Sequence, residues 1–491
     1  MKVKSFVKYS FGHQVVDVEV SLTPGLPNMQ LLGWADQQIK ESLWRLKSAF
    51  HVQGFVWPKT HTVVVNLKPT EFRKSGSGVE LAIAAALLWE TGQCPQAPNL
   101  GEPWIYGELS LKGEVSCPED TEFLPLPEQQ ALLTGNSSEG LPFATQQIKT
   151  LQNLASPSCH PESQETFMLQ RPSLLPYLFT KDQARAMAIT VLGEHPLLLA
   201  GPQGTGKTTL AKAIHSLLAD PDPLTYRLSR QIQRRFGQSI SFRPLVEPHH
   251  STPAISMVGG GQNPRPGEIT RAHGGVLLLD EMLEFPSTVL ECLRQPLENS
   301  TFTVTRGGES MEFPCDILVL GTTNLCPCGR YTPESPLLCH CPERKRRNHM
   351  AKLSGPLVDR MALLFFSSTE EKPQEYSLAD LQEQILKARN FQKEKLQQKV
   401  EPKQMEGQSL TNGKLSLAEL EPQLEISGTL LQSYKFTSER RKLHSYRVAR
   451  TLAADLDLSE SIQRSHFIEA YGWCQRHFSK LTHPSHRHNP Y

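Results

Sequence analysis

The sequence contains no apolar run of membrane-spanning length, no excess of one charge and too few cysteines for a disulfide scaffold. Its longest apolar stretches, such as Leu81–Trp89, reach about half of the ~20 residues that a spanning helix needs. The early lysines of Met1-Lys-Val-Lys4 precede no hydrophobic segment, so no secretory signal is expected. Lys and Arg number 51 against 50 Asp and Glu, a net charge of +1, which excludes a global polycation. Any contact with nucleic acid must therefore come from a local patch. Ten cysteines in 491 residues are sparse, and six of them are scattered. These absences describe a soluble, cytoplasmic chain with no membrane partner.

What is present supports packed cores: 38% of residues are hydrophobic and 21% charged. At roughly 150 residues per domain the length suggests about three domains. Residues 1–116 read as a compact α/β unit. Val15–Ser21 alternates and His61–Leu67 is β-branched, as strands are. Asp36–Gln53 and Val79–Glu90 carry helical spacing or helical apolarity. The stretch 117–173, rich in Pro, Ser, Glu and Gln, reads as an eroded domain edge plus a linker. From 174 to about 370 short apolar runs (His195–Ala200, Gly275–Asp280, Asp316–Gly321) alternate with helical patterns, the signature of a parallel sheet covered on both faces. Residues 378–482 read as helical, and 483–491 as a frayed tail.

Gly201-Pro-Gln-Gly-Thr-Gly-Lys-Thr208 fits a phosphate-binding loop and lies between an expected strand and an expected helix. Gly201, Gly204 and Gly206 let the backbone N–H groups face inward, and Thr209 completes the nucleotide-binding run. Lys207 supplies a point charge for the β/γ-phosphates of ATP and the Thr208 hydroxyl a ligand for Mg2+. Val276-Leu-Leu-Leu-Asp-Glu281 is the complementary element, with Asp280 placed 73 residues after Lys207. Asp280 is expected at the magnesium and Glu281 at the attacking water. A third strand leads into Thr322-Thr-Asn324, where Asn324 can also orient that water.

Four cysteines fall within sixteen residues: Cys326-x-Cys328, ten residues, then Cys339-x-Cys341. Four thiolates with no open position suit a structural Zn2+ site, although reduced, buried cysteines are the competing reading. Their place directly after Asn324 suggests that the cluster braces a loop near the γ-phosphate.

The order of phosphate loop, Asp-Glu strand and Asn-tipped strand resembles an AAA+ ATPase. The closer resemblance is to the magnesium-chelatase-like ComM/YifB family. It is carried by His249-His-Ser251, Gly259-Gly-Gly261, Pro264-Arg-Pro-Gly-Glu268, the Cys-Pro-Cys-Gly run at 326–329, Ser354-Gly-Pro-Leu-Val-Asp-Arg360, Gly25-Leu-Pro27 and Arg447-Val-Ala-Arg-Thr451. Leu178-Phe-Thr-Lys-Asp-Gln183 departs from the family's usual Gly-Gln approach to the ATPase domain. The resemblance implies an α/β protein with three parts. These are a Lon-protease-like (S5-type) domain plus linker over 1–165, an AAA+ P-loop domain over 174–370 and a helical lid over 378–482. It implies an arginine finger at Arg360 and a second-sensor arginine at Arg440, with Arg441 and Arg447 as close alternatives. Both roles imply a homo-oligomeric ring, a hexamer, with sites between subunits.

Within the same resemblance, the hairpin expected over Thr301–Phe313 faces the ring's pore, and Arg306 beside its Gly307-Gly308 turn contacts DNA phosphate. Arg265 sits in a Gly/Pro-rich pore insert. A solvated hairpin charge and a plain loop are the respective alternatives. Aligned on the active Lon-type proteases, the nucleophile position falls on Gly78 and the lysine position near Glu122. A Ser–Lys dyad would then be missing, and proteolysis is not expected. Lys68, Arg73 and Lys74 offer a modest basic cluster for DNA or a partner, or a solvated loop. The ComM group is associated with branch migration during natural transformation, so the leading function is an ATP-dependent motor and helicase on single-stranded or branched DNA. A chelatase-type or protein-remodelling ATPase is the alternative. A nucleotide-gated, non-enzymatic scaffold is a third reading, opposed by intact Lys207, Asp280 and Glu281.

Overall fold

In the computed structural model the chain is described over residues 1–476. The exceptions are residues 10–11, 34–36, 70–73, 75–77, 96–102, 128–129, 137–140, 142, 161–168, 261–264, 307–308, 332–338, 354, 368–373, 400–410 and 427–433. It divides into two compact units, Met1–Met168 and Leu169–Tyr491. Among the described residues no helix is long and apolar enough to cross a membrane.

The first unit is built on an eight-stranded mixed sheet. Lys2–Tyr9 and Gly12–Pro24 form an antiparallel pair in register Lys2 to Glu19, and His61–Lys68 continues it on the other side of Gly12–Pro24. Alternation along Gly12–Pro24 puts Val16, Val18 and Val20 in the core and Asp17 and Glu19 on the other face. The helix Glu80–Glu90 has apolar residues all round, so it must be enclosed, and all nine residues from Glu80 to Leu88 are buried. Its companion, Gln37–Val52, buries Ile39, Leu46, Ala49 and Phe50 on one face.

Part of the stretch 117–173 belongs to the edge of this sheet. Leu132–Gly135, Thr145–Ile148 and Ser158–His160 are three strands of the same sheet. The reason it escapes sequence reading is physical. These strands are three or four residues long, two of them pair in parallel, and their flanks are polar, so no period-2 pattern accumulates.

The second unit carries a five-stranded sheet in the order Leu245–Val246, Val276–Leu279, Leu318–Thr323, Leu197–Ala200, Leu363–Phe366, every neighbouring pair parallel. These strands are continuous apolar runs because helices cover both faces. The architecture is α/β, and this sheet is consistent with an AAA+ domain. The two strands whose ends carry expected chemistry, Val276–Leu279 and Leu318–Thr323, are adjacent, and Leu197–Ala200 lies next to the latter. Their C-terminal ends therefore converge, which is where open parallel sheets place ligands.

The helices Leu378–Lys399, Glu439–Arg450 and Arg464–Tyr471 follow. Ile385, Ala388, Tyr446, Val448, Leu452, Phe467 and Cys474 share one apolar cluster with Leu197, Leu278, Leu320 and Leu363 of the sheet. The sheet and these helices thus share one core. Arg441 fastens this junction. Its buried guanidinium donates to the carbonyls of Val358, Met361, Ala362 and Cys474.

Candidate nucleotide site

Leu197–Ala200 ends at Gly201, and the helix Lys207–Leu217 begins six residues later. Gly206 caps that helix at φ +75°, in the left-handed region where a side chain is strained. At Gly201 a Cβ would lie 2.6 Å from the Ser367 carbonyl oxygen, so only glycine lets the loop leave the strand here. The loop thus curls over the N-terminus of a helix, with the positive end of the helix dipole facing the cavity.

The cavity, about 190 Å3, is lined by Gln203 to Thr209, Asp280, Glu281 and Thr322 to Asn324. Every phosphate-site residue expected from sequence other than Gly201 is among them, and Gly201 starts the loop itself. The Thr208 hydroxyl donates to Asp280 Oδ1 at 2.8 Å, the geometry of a pair poised to share a divalent cation. The Lys207 ammonium donates to the carbonyls of Gly201 and Pro202 and, at 3.1 Å, to Asn324 Oδ1. Burial lowers the Lys207 pKa, and Asp280 and Glu281 oppose that shift.

Thr322 was missed by sequence reading. Its hydroxyl donates to Asp280 Oδ1 at 2.6 Å and accepts the Glu281 N–H at 3.0 Å, so one side chain positions both acidic residues. The available signal was its place in Thr322-Thr-Asn324, one residue short of a polar strand end. Glu281 itself has φ +52°, a left-handed conformation that costs on the order of 1–3 kcal/mol in a residue with a Cβ. The bond from its N–H to Thr322 helps to hold that conformation.

Arg360 and Arg440 do not line this cavity. They meet each other elsewhere. The guanidinium of Arg360 pairs with Glu298 at 3.0 Å, and that of Arg440 pairs with the same Glu298 and, at 3.4 Å, with Asp359. Of the alternatives to Arg440, Arg441 is buried under backbone carbonyls and Arg447 donates to Leu415 O, so neither presents a free head.

The sulfur atoms of Cys326, Cys328, Cys339 and Cys341 all lie within 4.8 Å of one another. Thr301–Arg306 and Glu309–Pro314 form the expected hairpin, with Arg306 opposite Glu309. Its Gly307-Gly308 turn lies outside the described residues, as do the side chains of Arg306 and Arg265. The backbone of Arg265–Pro266 pairs with Gly259–Gly260.

In the first unit, a Cβ on Gly78 would fall 2.1 Å from the Tyr106 ring, so the present packing has no room for a side chain there. The Tyr106 hydroxyl donates to Asp120 at 3.2 Å, and Asp120 also pairs with His13 and Lys8. Glu122 lies in the 3-10 turn Thr121–Phe123. Of the three basic residues singled out for DNA or a partner, Lys68 is paired with Glu19, Lys74 is buried, and Arg73 lies outside the described residues.

Three family profiles cover most of the chain: magnesium chelatase, subunit ChlI, over residues 179–375; subunit ChlI of Mg-chelatase over 18–124; and the ChlI C-terminal region over 375–473. An uncharacterized protein of Mycobacterium tuberculosis is 30% identical over 71% of this chain and 73% of its own length. The chain belongs to the magnesium-chelatase-like family. Within that family, YifB of Escherichia coli is 29% identical over 93% of this chain and 94% of its own. The competence protein ComM of Haemophilus influenzae is 29% identical over 95% of this chain and 96% of its own.

Proposed function

We propose that this protein is a magnesium-dependent ATPase that assembles as a ring, a hexamer, and moves along single-stranded or branched DNA in the cytoplasm. One observation carries the ATPase reading: Lys207, Thr208, Asp280, Glu281 and Asn324 converge on one cavity at the ends of three neighbouring parallel strands. Thr208 and Asp280 fit a hard divalent cation through oxygen ligands. Held there, Mg2+ would supply positive charge to offset that of the phosphates. Backbone N–H groups from Gly204 to Thr209 cradle the phosphates, and Lys207 exchanges its loop carbonyls for phosphate oxygens. The Glu281 carboxylate takes the proton of the attacking water, and Asn324 orients that water.

Arg360 supplies the positive charge that the transferring phosphoryl group needs in a neighbouring subunit's site. Arg440, which shares Glu298 with it, is the second sensor that reports the γ-phosphate. The residues after 378 act as the lid that carries Arg440. Residues 1–168 form a Lon-protease-like domain that does no proteolysis. Arg306 at the hairpin and Arg265 in the Gly/Pro-rich insert contact the DNA backbone. The DNA assignment, with branch migration during natural transformation, follows the resemblance to the ComM group; a competence protein ComM is among the chain's relatives. Zn2+ is the occupant assigned to the four cysteines.

The test measures ATP hydrolysis with no DNA, with forked and Holliday-junction DNA, and with single strands, at rising salt. Stimulation by DNA that fades with salt is expected for a motor that grips phosphates, and strand displacement should stop in Glu281→Gln while ATP binding persists. Turnover indifferent to every DNA substrate, or stimulated by a protein client alone, refutes the motor.

A further inference from the structure

The four cysteines do not stand apart from the nucleotide site. Three sulfur separations, Cys326 to Cys328 at 3.3 Å, Cys328 to Cys339 at 3.6 Å and Cys326 to Cys339 at 3.6 Å, are far longer than a disulfide of about 2.05 Å. They approach the edge of about 3.8 Å that a tetrahedron of 2.3 Å zinc–sulfur bonds requires. Backbone N–H groups of Tyr331 and Cys341 point at Cys326 Sγ and Cys339 Sγ at 3.2 and 3.4 Å, the outer hydrogen bonds that thiolate ligands accept. The donor set, its spacing and its outer bonds all fit a closed, structural metal site.

Each half of this cluster runs into a different wall of the ATP cavity. On one side, Gly329 donates to the Cys326 carbonyl in a tight turn, and the Gly329 carbonyl accepts the N–H of Gln203 in the phosphate loop at 2.9 Å. On the other side, Cys341 is followed by Pro342 and the helix Glu343–Met350. From that helix His349 Nε2 donates to the backbone carbonyl of Asn324 at 3.0 Å. Just beyond the helix, Lys352 donates to the Leu283 carbonyl at 2.6 Å, in the turn that follows Glu281. The two Cys-x-Cys halves are therefore the joint between the loop that touches the phosphates and the helix that supports the Asn324 and Glu281 ends.

We propose that the metal held by Cys326, Cys328, Cys339 and Cys341 is a brace for the nucleotide site, keeping Gln203 and Asn324 in register across the cavity. It rests on the zinc reading above and adds a consequence to it. Without the metal the halves separate, the Gly329–Gln203 and His349–Asn324 bonds loosen, and ATP affinity and turnover fall while the sheet remains folded. Gln203 and His349 act here as positioning residues.

The experiment uses the full chain, with metal content measured by elemental analysis, affinity by a fluorescent ATP analogue, turnover by phosphate release, and secondary structure by circular dichroism. About one zinc per chain is expected as purified. Cys339→Ser, Cys341→Ser and chelator-stripped protein returned to excess Mg2+ should lose zinc and lose about tenfold in affinity or turnover, the range seen when supports of a site are removed. Added Zn2+ should restore the stripped wild type. His349→Ala should keep its zinc and show the turnover loss, which separates the brace from a general folding defect. Zinc below about half per chain overturns the occupant and the proposal with it. Full zinc with unchanged affinity and turnover in the stripped protein, or an unaffected His349→Ala, overturns the brace and leaves the zinc reading standing.

Discussion

The two units each gather charged and hydroxyl side chains at one place, and they use them in opposite ways. In the second unit Lys207, Thr208, Asp280, Glu281 and Asn324 surround a cavity of about 190 Å3. In the first, His13, Tyr106, Asp120 and Lys8 bond to one another, and the Tyr106 ring fills the space beside Gly78. Polar groups aimed at open volume can bind and transform a ligand, whereas groups that satisfy each other stabilise a fold. The comparison breaks most sharply at Lys207. Lys207→Ala should abolish measurable ATP binding, and Arg360→Ala should leave binding intact but slow turnover by about 10^3-fold. Mixing Arg360→Ala with Lys207→Ala protein should recover activity if each site is completed by a neighbour. No recovery would mean that Arg360 does not complete a neighbour's site.

Thr322→Val sharpens the same contrast more gently. The isosteric change removes the hydroxyl that bonds Asp280 and the Glu281 N–H, so those two residues lose their common anchor. Turnover should fall about 10- to 100-fold, with a raised Mg2+ requirement, as for other supports of metal ligands. An unchanged magnesium dependence would make Thr322 a packing residue only.

Much of this site was legible because its chemistry is local in sequence. The loop Gly201–Thr208 and the Asp280-Glu281 strand end each declare themselves within a few residues, and the apolar strands that align them are continuous runs. Thr322 was not legible, because its role depends on a partner 42 positions away on an adjacent strand. The pairing of Arg360 and Arg440 on Glu298 depends on three separate segments. In the first unit, Gly12–Pro24 and the helix Glu80–Glu90 follow from periodicity and apolarity. The strands at 132–160 do not, being too short to show a period. Nor could composition tell that Lys68 pairs with Glu19 and that Lys74 is buried.

Gly78→Ser tests the closed half of the comparison. A hydroxymethyl group at this position meets the Tyr106 ring, and overpacking of this kind costs about 1–3 kcal/mol. Thermal melting should show the first unit destabilised, with ATP turnover per folded chain unchanged and no peptidase activity gained. A stable Gly78→Ser variant that cleaves peptides would show that the first unit's cluster is a reactive site after all.

The smallest effect concerns pH. Burial alone would raise the Asp120 pKa, but the hydrogen bond and charge of His13, joined by those of Lys8, outweigh it and hold the carboxyl below its ordinary range. A carboxyl depressed in the folded state contributes stability above its unfolded pKa, about 4, and that contribution is lost as pH falls through the folded value. The first unit should therefore weaken on acidification below about pH 4. Asp120→Asn should flatten that dependence while costing about 1.5 kcal/mol near neutrality, since hydrogen bonds to a charged group are replaced by weaker ones. An acid limb of unchanged steepness in Asp120→Asn would assign it to other carboxylates, leaving this cluster as packing around Tyr106.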